Sequence, residues 1–190
     1  MNLDNFIKDS FISSSEIIKN SVSLSKTIQD SILLVTDTIK NGNKIILFGN
    51  GGSAADAQHI AAELIGRFKL ERQSYPAISL TTDSSILTSL GNDYSYDVIF
   101  SRQCESLVTK GDIVIGISTS GNSKNIEKGI TTSKQRGAIT IGLLGNEGGS
   151  IINNVDFSIV VNSNSTPHIQ EVHRVIYHII CDLVEQRLSK

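Results

Sequence analysis

Two regimes of apolar spacing divide the chain. In residues 1–40 the apolar positions follow helical intervals. Leu3, Phe6, Ile7, Phe11, Ile17 and Ile18 fit one helix loosely, and Ile28, Ile32, Val35 and Ile39 fit a second one better. Asn41-Gly42-Asn43 then ends the helix and turns the chain. Beyond it the apolar residues contract into short runs, at Lys44–Phe48, Ala77–Leu80, Asp112–Ile117, Ile139–Leu144 and Phe157–Val161. Helix-length segments of mixed polarity lie between them: Ala54–Phe68, a region around Ser84–Leu107, Asn122–Arg136 and a shorter piece near Ser150. A final strong helix is predicted from about Thr166 to Leu188.

Strands that are apolar throughout and alternate with helices predict a parallel sheet covered on both faces, an α/β architecture. In such sheets ligands bind beyond the carboxyl ends of the strands. No internal repeat, low-complexity tract or linker marks a second unit, so a single domain over residues 1–190 is expected, with a helical region at 1–40 and an α/β core at 44–190. The N-terminal helices are expected to pack on the sheet or on another subunit, and Leu3, Phe6 and Ile7 suit either.

Composition narrows the function classes. Hydrophobic residues make up 39% and charged residues 19%, as in a soluble globular protein. The net charge of -2, with no basic block, leaves no electrostatic footprint for sequence-independent nucleic-acid binding. The N-terminal segment has no long apolar stretch, so neither signal peptide nor membrane span is expected and the location should be cytoplasmic. Cys104 and Cys181 lie far apart without metal-type spacing and read as buried thiols.

The chemistry gathers in two loops and two helices. After the first strand comes Gly49-Asn50-Gly51-Gly52-Ser53, whose glycines let the backbone approach a ligand and whose Ser53 is placed to cap the next helix. Gly49-x-Gly51-x-x-Ala54 also satisfies the loose dinucleotide fingerprint, but its acidic partner would have to be Asp83, beyond the usual spacing. Taken by itself Asp83 reads as a helix N-cap, and Asn92-Asp93 as a turn. After the third strand Ser118-Thr119-Ser120-Gly121-Asn122-Ser123 offers hydroxyls and free N–H groups at a helix start, which suits an anion. An ordinary Ser/Thr-rich turn would look the same; the position after a buried strand favours phosphate. His59 and Glu63 lie four apart on an alanine-rich helix, and that spacing fits a solvated pair as well as a shared metal ion or proton. Gln170, Arg174 and His178 follow one another along one side of the last helix, so the two helices can present His59, Glu63, Gln170 and His178 to a common point. Histidine and carboxylate suit zinc, glutamine less so. His173 reads as structural.

These stretches together resemble the phosphosugar isomerase (SIS) domain family, and within it the sedoheptulose-7-phosphate, or phosphoheptose, isomerases. The resemblance rests on Gly49–Ser53, Ala57-Gln-His-Ile-Ala-Ala-Glu-Leu64, Gly91-Asn-Asp93, Gly116–Ser123 and Ile169-Gln-Glu-Val-His173 with His178, and it covers nearly the whole chain. It implies a flavodoxin-like three-layer sandwich around a five-stranded parallel sheet. It implies that Asn50, Gly51, Gly52, Asn92 and Asp93 hold the sugar chain, and that Ser118, Thr119, Ser120 and Ser123 grip the phosphate. By the same resemblance one zinc ion per subunit associates with His59, Glu63, Gln170 and His178, with Gln170 and Glu63 also meeting substrate. Glu63 and His178 take the positions of general base and acid. The expected reaction is aldose–ketose isomerisation of sedoheptulose 7-phosphate to D-glycero-D-manno-heptose 7-phosphate through an enediol, supplying heptose for a surface polysaccharide, lipopolysaccharide or capsule. Homotetramers with sites at subunit interfaces are also implied. One departure stands out: relatives often carry arginine where this chain has His168. A non-catalytic alternative is similar too, the DnaA initiator-associating proteins, which act by protein contacts. Those relatives lack the acidic residue at Glu63 and the histidine at His178.

Overall fold

In the computed structural model, which describes residues 1–189, all five predicted strands are present: β1 (Ile45–Gly49), β2 (Ala77–Ser79), β3 (Ile113–Ser118), β4 (Ile139–Gly145) and β5 (Phe157–Val161). They form one parallel sheet in the order β2-β1-β3-β4-β5. The alternation along each strand builds two cores. Ile45 and Leu47 of β1, Ile113, Ile115 and Ile117 of β3, and Ile141 and Leu143 of β4 face one side. Ile46 and Phe48 of β1, Val114 of β3 and Leu144 of β4 face the other. Both faces must therefore be covered, which is why the central strands read as unbroken apolar runs.

On the first face lie α2 (Ser25–Lys40), α3 (Gly52–Ile65) and α7 (Thr166–Leu188), contributing Ile28, Ile32, Val35, Ile60, Leu64, Val172 and Ile176 to that core. The opposite face takes α5 (Ser101–Leu107) and α6 (Lys124–Gln135), with Cys104, Ile126 and Ile130 buried; α4 (Ser84–Asp93) adds Leu87 and Leu90 at its edge. The result is the expected three-layer α/β sandwich.

The N-terminal helix α1 (Leu3–Asn20) differs from the rest because none of its residues is buried. Its Ile17 packs against the core, while Leu3, Phe6, Ile7, Phe11 and Ile12 are all more than half exposed. A 3-10 turn, Ser21–Leu24, joins it to α2.

The helix-length region around Ser84–Leu107 holds two helices separated by a 3-10 turn, Tyr96–Val98. Asp83 caps α4 as read, its carboxylate accepting the Ile86 N–H at 2.9 Å. Ser53 does not cap α3. The N-cap lies two residues earlier, at Gly51, whose φ of 55° and ψ of -120° suit glycine, and Ser53 is buried in the first turn. Cys104 and Cys181 are free and buried, and burial pushes the thiols up to about 11 and about 12. No described helix is long and apolar enough to cross a membrane.

Candidate active site

The sheet order reverses between β1 and β3: β2 lies to one side of β1, and β3 follows on the other. Such a switch point opens a crevice beyond the carboxyl ends of the strands, because the two chains leave in opposite directions. Both Gly/Ser-rich loops emerge there.

The first loop is tied to the second by amides. Asn50 and Asn125 exchange two side-chain hydrogen bonds of 2.9 Å each, and Asn50 Oδ1 also accepts from the Tyr96 hydroxyl at 3.0 Å. Asn125 was not singled out in the sequence; a buried asparagine in the first turn of α6 is its one signal. Tyr96 brings the segment after α4 to the same loop. Asn92 and Asp93 end α4, exposed, with Asn92 Nδ2 donating to Asp93 at 2.8 Å. Across the loop Gly52 meets Gln170 of α7 so closely that an added Cβ would overlap the Gln170 amide. A larger residue there would push the Gln170 amide out of its place beside the loop.

The second loop presents hydroxyls that its own helix does not consume. Ser123 is the N-cap residue of α6, yet its side chain caps nothing; its Oγ lies 3.4 Å from Ser118 Oγ. Ser118 Oγ accepts the Gly121 N–H at 3.1 Å, and Ser120 Oγ accepts the Asn122 N–H at 3.2 Å. Behind the loop, Asn122 Oδ1 accepts the Ser150 N–H and Gly121 O accepts the Ile151 N–H, so the turn after β4 braces it. In that turn Asn146 and Glu147 hold left-handed backbone at φ 49° and 61°.

His59, Glu63 and His178 come together as the helical spacing allows. Each offers one ligand atom, and the three atoms lie within 4.8 Å of one another. His59 Nε2 is 2.9 Å from Glu63 Oε1, and the His59 and His178 rings are 5.2 Å apart. Two imidazoles and a carboxylate at this separation form a donor set able to hold a divalent transition metal. Burial, and then the neighbouring His59, lower the pKa of His178, so its ring is neutral at pH 7.

Around this trio runs a network that sequence reading left unassigned. Asp56, 2% exposed, accepts from Arg174 at 3.1 Å and from the Tyr177 hydroxyl at 3.3 Å; Arg174 Nε donates to that hydroxyl at 3.0 Å. The same hydroxyl lies 3.4 Å from His59 Nδ1. Burial, then Asp56, pushes Tyr177 up to about 12. The available signal was Asp56 itself, an acid among the alanines of α3, three residues before His59.

A second buried network fixes the end of α3. Glu185 of α7, 1% exposed, accepts the N–H groups of Phe68, Lys69 and Leu70 at 2.6–2.8 Å and Arg72 Nε at 3.1 Å. Arg72 in turn donates to the carbonyls of Glu63, Leu64, Gly66 and Gln73. His173 stands apart in the core, as expected: its Nε2 donates to Leu144 O at 3.1 Å, and burial lowers it to about 4.

Comparison with known proteins places this geometry in context. A SIS-domain family model matches residues 11–145. The phosphoheptose isomerase of Geobacter sulfurreducens is 58% identical over 155 residues, spanning 82% of each chain. The solved phosphoheptose isomerase of Neisseria gonorrhoeae superposes with a TM-score of 0.93 at 36% identity, over 97% of this chain and 100% of that one. The one from Francisella tularensis gives 0.95 at 33% identity, over 98% and 100%.

Proposed function

The chain belongs to the SIS-domain family, in its phosphoheptose isomerase branch, and from that premise we propose how its residues convert sedoheptulose 7-phosphate to D-glycero-D-manno-heptose 7-phosphate. The observation that carries the assignment is the trio His59, Glu63 and His178 beside two loops at the switch point. The trio includes both groups missing from the non-catalytic relatives.

The phosphate would sit in the second loop, on the hydroxyls of Ser118, Thr119, Ser120 and Ser123 at the N-terminus of α6. Asn50, Gly51 and Gly52, with Asn92 and Asp93, would line the sugar chain. Holding the phosphate far from the reacting carbons fixes C1 and C2 against the helices α3 and α7. Glu63 then removes a proton from C1 while His178 gives a proton to the C2 oxygen, forming the cis-enediol. His178 next takes the proton from the C1 hydroxyl, and Glu63 returns its proton to C2. The sum is an aldehyde at C1 and a hydroxyl at C2, with both side chains restored. Each of these transfers changes the charge of His178 by one unit, and the second restores what the first removed.

The donor chemistry fits zinc, which His59, Glu63 and His178 would hold, with Gln170, resting against Gly52, as a fourth ligand. Bound there, zinc would polarise the substrate carbonyl and stabilise enediolate charge. The reading extends to a homotetramer with sites at subunit interfaces. It is supported by the exposed apolar face of α1 and by an apolar groove of about 540 Å³ lined by Ile28, Ile32 and Leu33 of α2 and by Ile179 and Leu183 of α7. A cytoplasmic location, and a product destined for surface polysaccharide, complete the proposal.

The test is aldose formation from sedoheptulose 7-phosphate, followed by NMR with added zinc and with a chelator. Turnover that stops on chelation and returns with zinc supports the whole reading. Turnover indifferent to chelation removes the metal and keeps the isomerase.

A further inference from the structure

The geometry points to the Tyr177 hydroxyl as a positioning group for His59: it accepts from His59 Nδ1–H while donating to Asp56, and so presents His59 Nε2 to the cation beside Glu63. The inference rests on the metal reading above and adds to it the groups that hold the ligand in place. It follows from counting protons. Three polar atoms surround the Tyr177 oxygen: Arg174 Nε at 3.0 Å, Asp56 Oδ1 at 3.3 Å and His59 Nδ1 at 3.4 Å. Arg174 can only donate, and an ionised Asp56 can only accept. The single phenolic proton therefore goes to Asp56, and the lone pair left over can be satisfied only by a proton on His59 Nδ1.

A neutral imidazole protonated at Nδ1 carries its lone pair on Nε2, the nitrogen 2.9 Å from Glu63 Oε1. Two lone pairs facing each other at that distance call for a cation between or beside them, and His178 supplies the third donor. With the cation in place each of the contacts linking Arg174, Asp56, Tyr177 and His59 pairs a donor with an acceptor. With the tyrosine proton turned towards His59 instead, Nδ1 becomes an acceptor and Nε2 carries the proton, which excludes the cation. The arrangement matters because Tyr177 and Asp56 are 1% and 2% exposed, so water cannot make good a mismatch. A carboxylate behind a metal-binding histidine is a common device for fixing its tautomer. Here the carboxylate acts through a tyrosine contributed by α7.

Tyr177→Phe tests this cleanly, since it keeps the ring that packs 4.7 Å from His178 and 5.4 Å from His59 and deletes only the hydroxyl. Zinc affinity is measured on the full-length protein by competition with a chromogenic chelator, beside the circular dichroism of the metal-free protein. The expected result is zinc binding weakened about 10–100-fold in Tyr177→Phe with the fold retained. In the zinc-loaded parent, 1H–15N correlation of 15N-histidine protein should place the His59 proton on Nδ1. If Tyr177→Phe does not fold, Asp56→Asn, which retains an acceptor but loses the charge, should still weaken zinc binding measurably. Zinc bound through Nδ1, or bound equally tightly by parent and Tyr177→Phe, overturns the Tyr177 assignment alone. A parent that binds no zinc overturns it together with the metal reading.

Discussion

Glu63 has two distinct neighbours, His59 through its side chain and Arg72 through its carbonyl, and it is the proposed general base. Glu63→Gln keeps the shape and loses the base, so kcat should fall roughly 10²–10⁴-fold without loss of fold, measured by the NMR assay. Ser120→Ala acts at the far end of the substrate. It should raise KM about 10-fold and leave kcat within about threefold, because a lost hydrogen bond to a charged group weakens binding before it touches the chemistry. His173 governs acid stability rather than catalysis. The unfolded chain protonates this histidine near pH 6.5, the folded one only near pH 4, so folding loses stability as pH drops through that window. The slope should approach 1.4 kcal/mol per pH unit from this group, and a urea-melt series with His173→Phe should show it flattened. The convergence of His59, Glu63 and His178 was legible because it obeys helical spacing: His59 and Glu63 are one turn apart on α3, and His178 faces them from α7. Asp56, Tyr177 and Asn125 were not, because each works by a contact across more than 70 residues of sequence.

At the scale of elements, α3 and α7 are the parts whose relative placement makes the site. Arg72 and Glu185 lock them, with Glu185 binding the loop after α3 and Arg72 tying that loop to the last turn of α3. Burial alone would raise Glu185, but the N–H groups of Leu70, Phe68 and Lys69 hold it below its usual range. It therefore stabilises the fold above the ordinary carboxylate pKa, and this contribution fades as pH falls through the lower, folded value. Arg72→Ala would leave a buried carboxylate without its cation, at a cost of about 3–5 kcal/mol in urea unfolding, and should also lower kcat because the end of α3 is freed. Strands β1 to β5 and helix α7 were read closely, since continuous apolar runs and a long amphipathic pattern leave little choice. The start of α3 was misjudged by the strength of serine as a cap. Gly51 could take a backbone conformation that the sequence pattern did not reveal, and it moved the helix start forward.

For the whole molecule, the order of the sheet explains why two loops distant in sequence meet: the reversal between β1 and β3 puts residues 49–53 and 118–123 at one crevice. Alternation of strands and helices predicted the parallel sheet, but strand order comes from long-range packing that no local pattern records. The exposed face of α1 is the remaining feature at this scale. Replacing Phe6 and Phe11, 59% and 76% exposed, with Asp should shift the protein to smaller species in analytical ultracentrifugation while the sheet stays folded. A pair of substitutions that leaves the mass unchanged would remove α1 from the proposed assembly. The central claim is proton transfer at C1 and C2 by Glu63, and it is tested most directly by following sedoheptulose 7-phosphate in D2O by NMR with the parent and with Glu63→Gln. The account predicts aldose appearing with the parent, carrying deuterium at C2 wherever Glu63 exchanges the proton it holds with solvent before returning it, and almost none with the variant. Unchanged ketose with the parent, or a variant within about tenfold of it, would contradict the account.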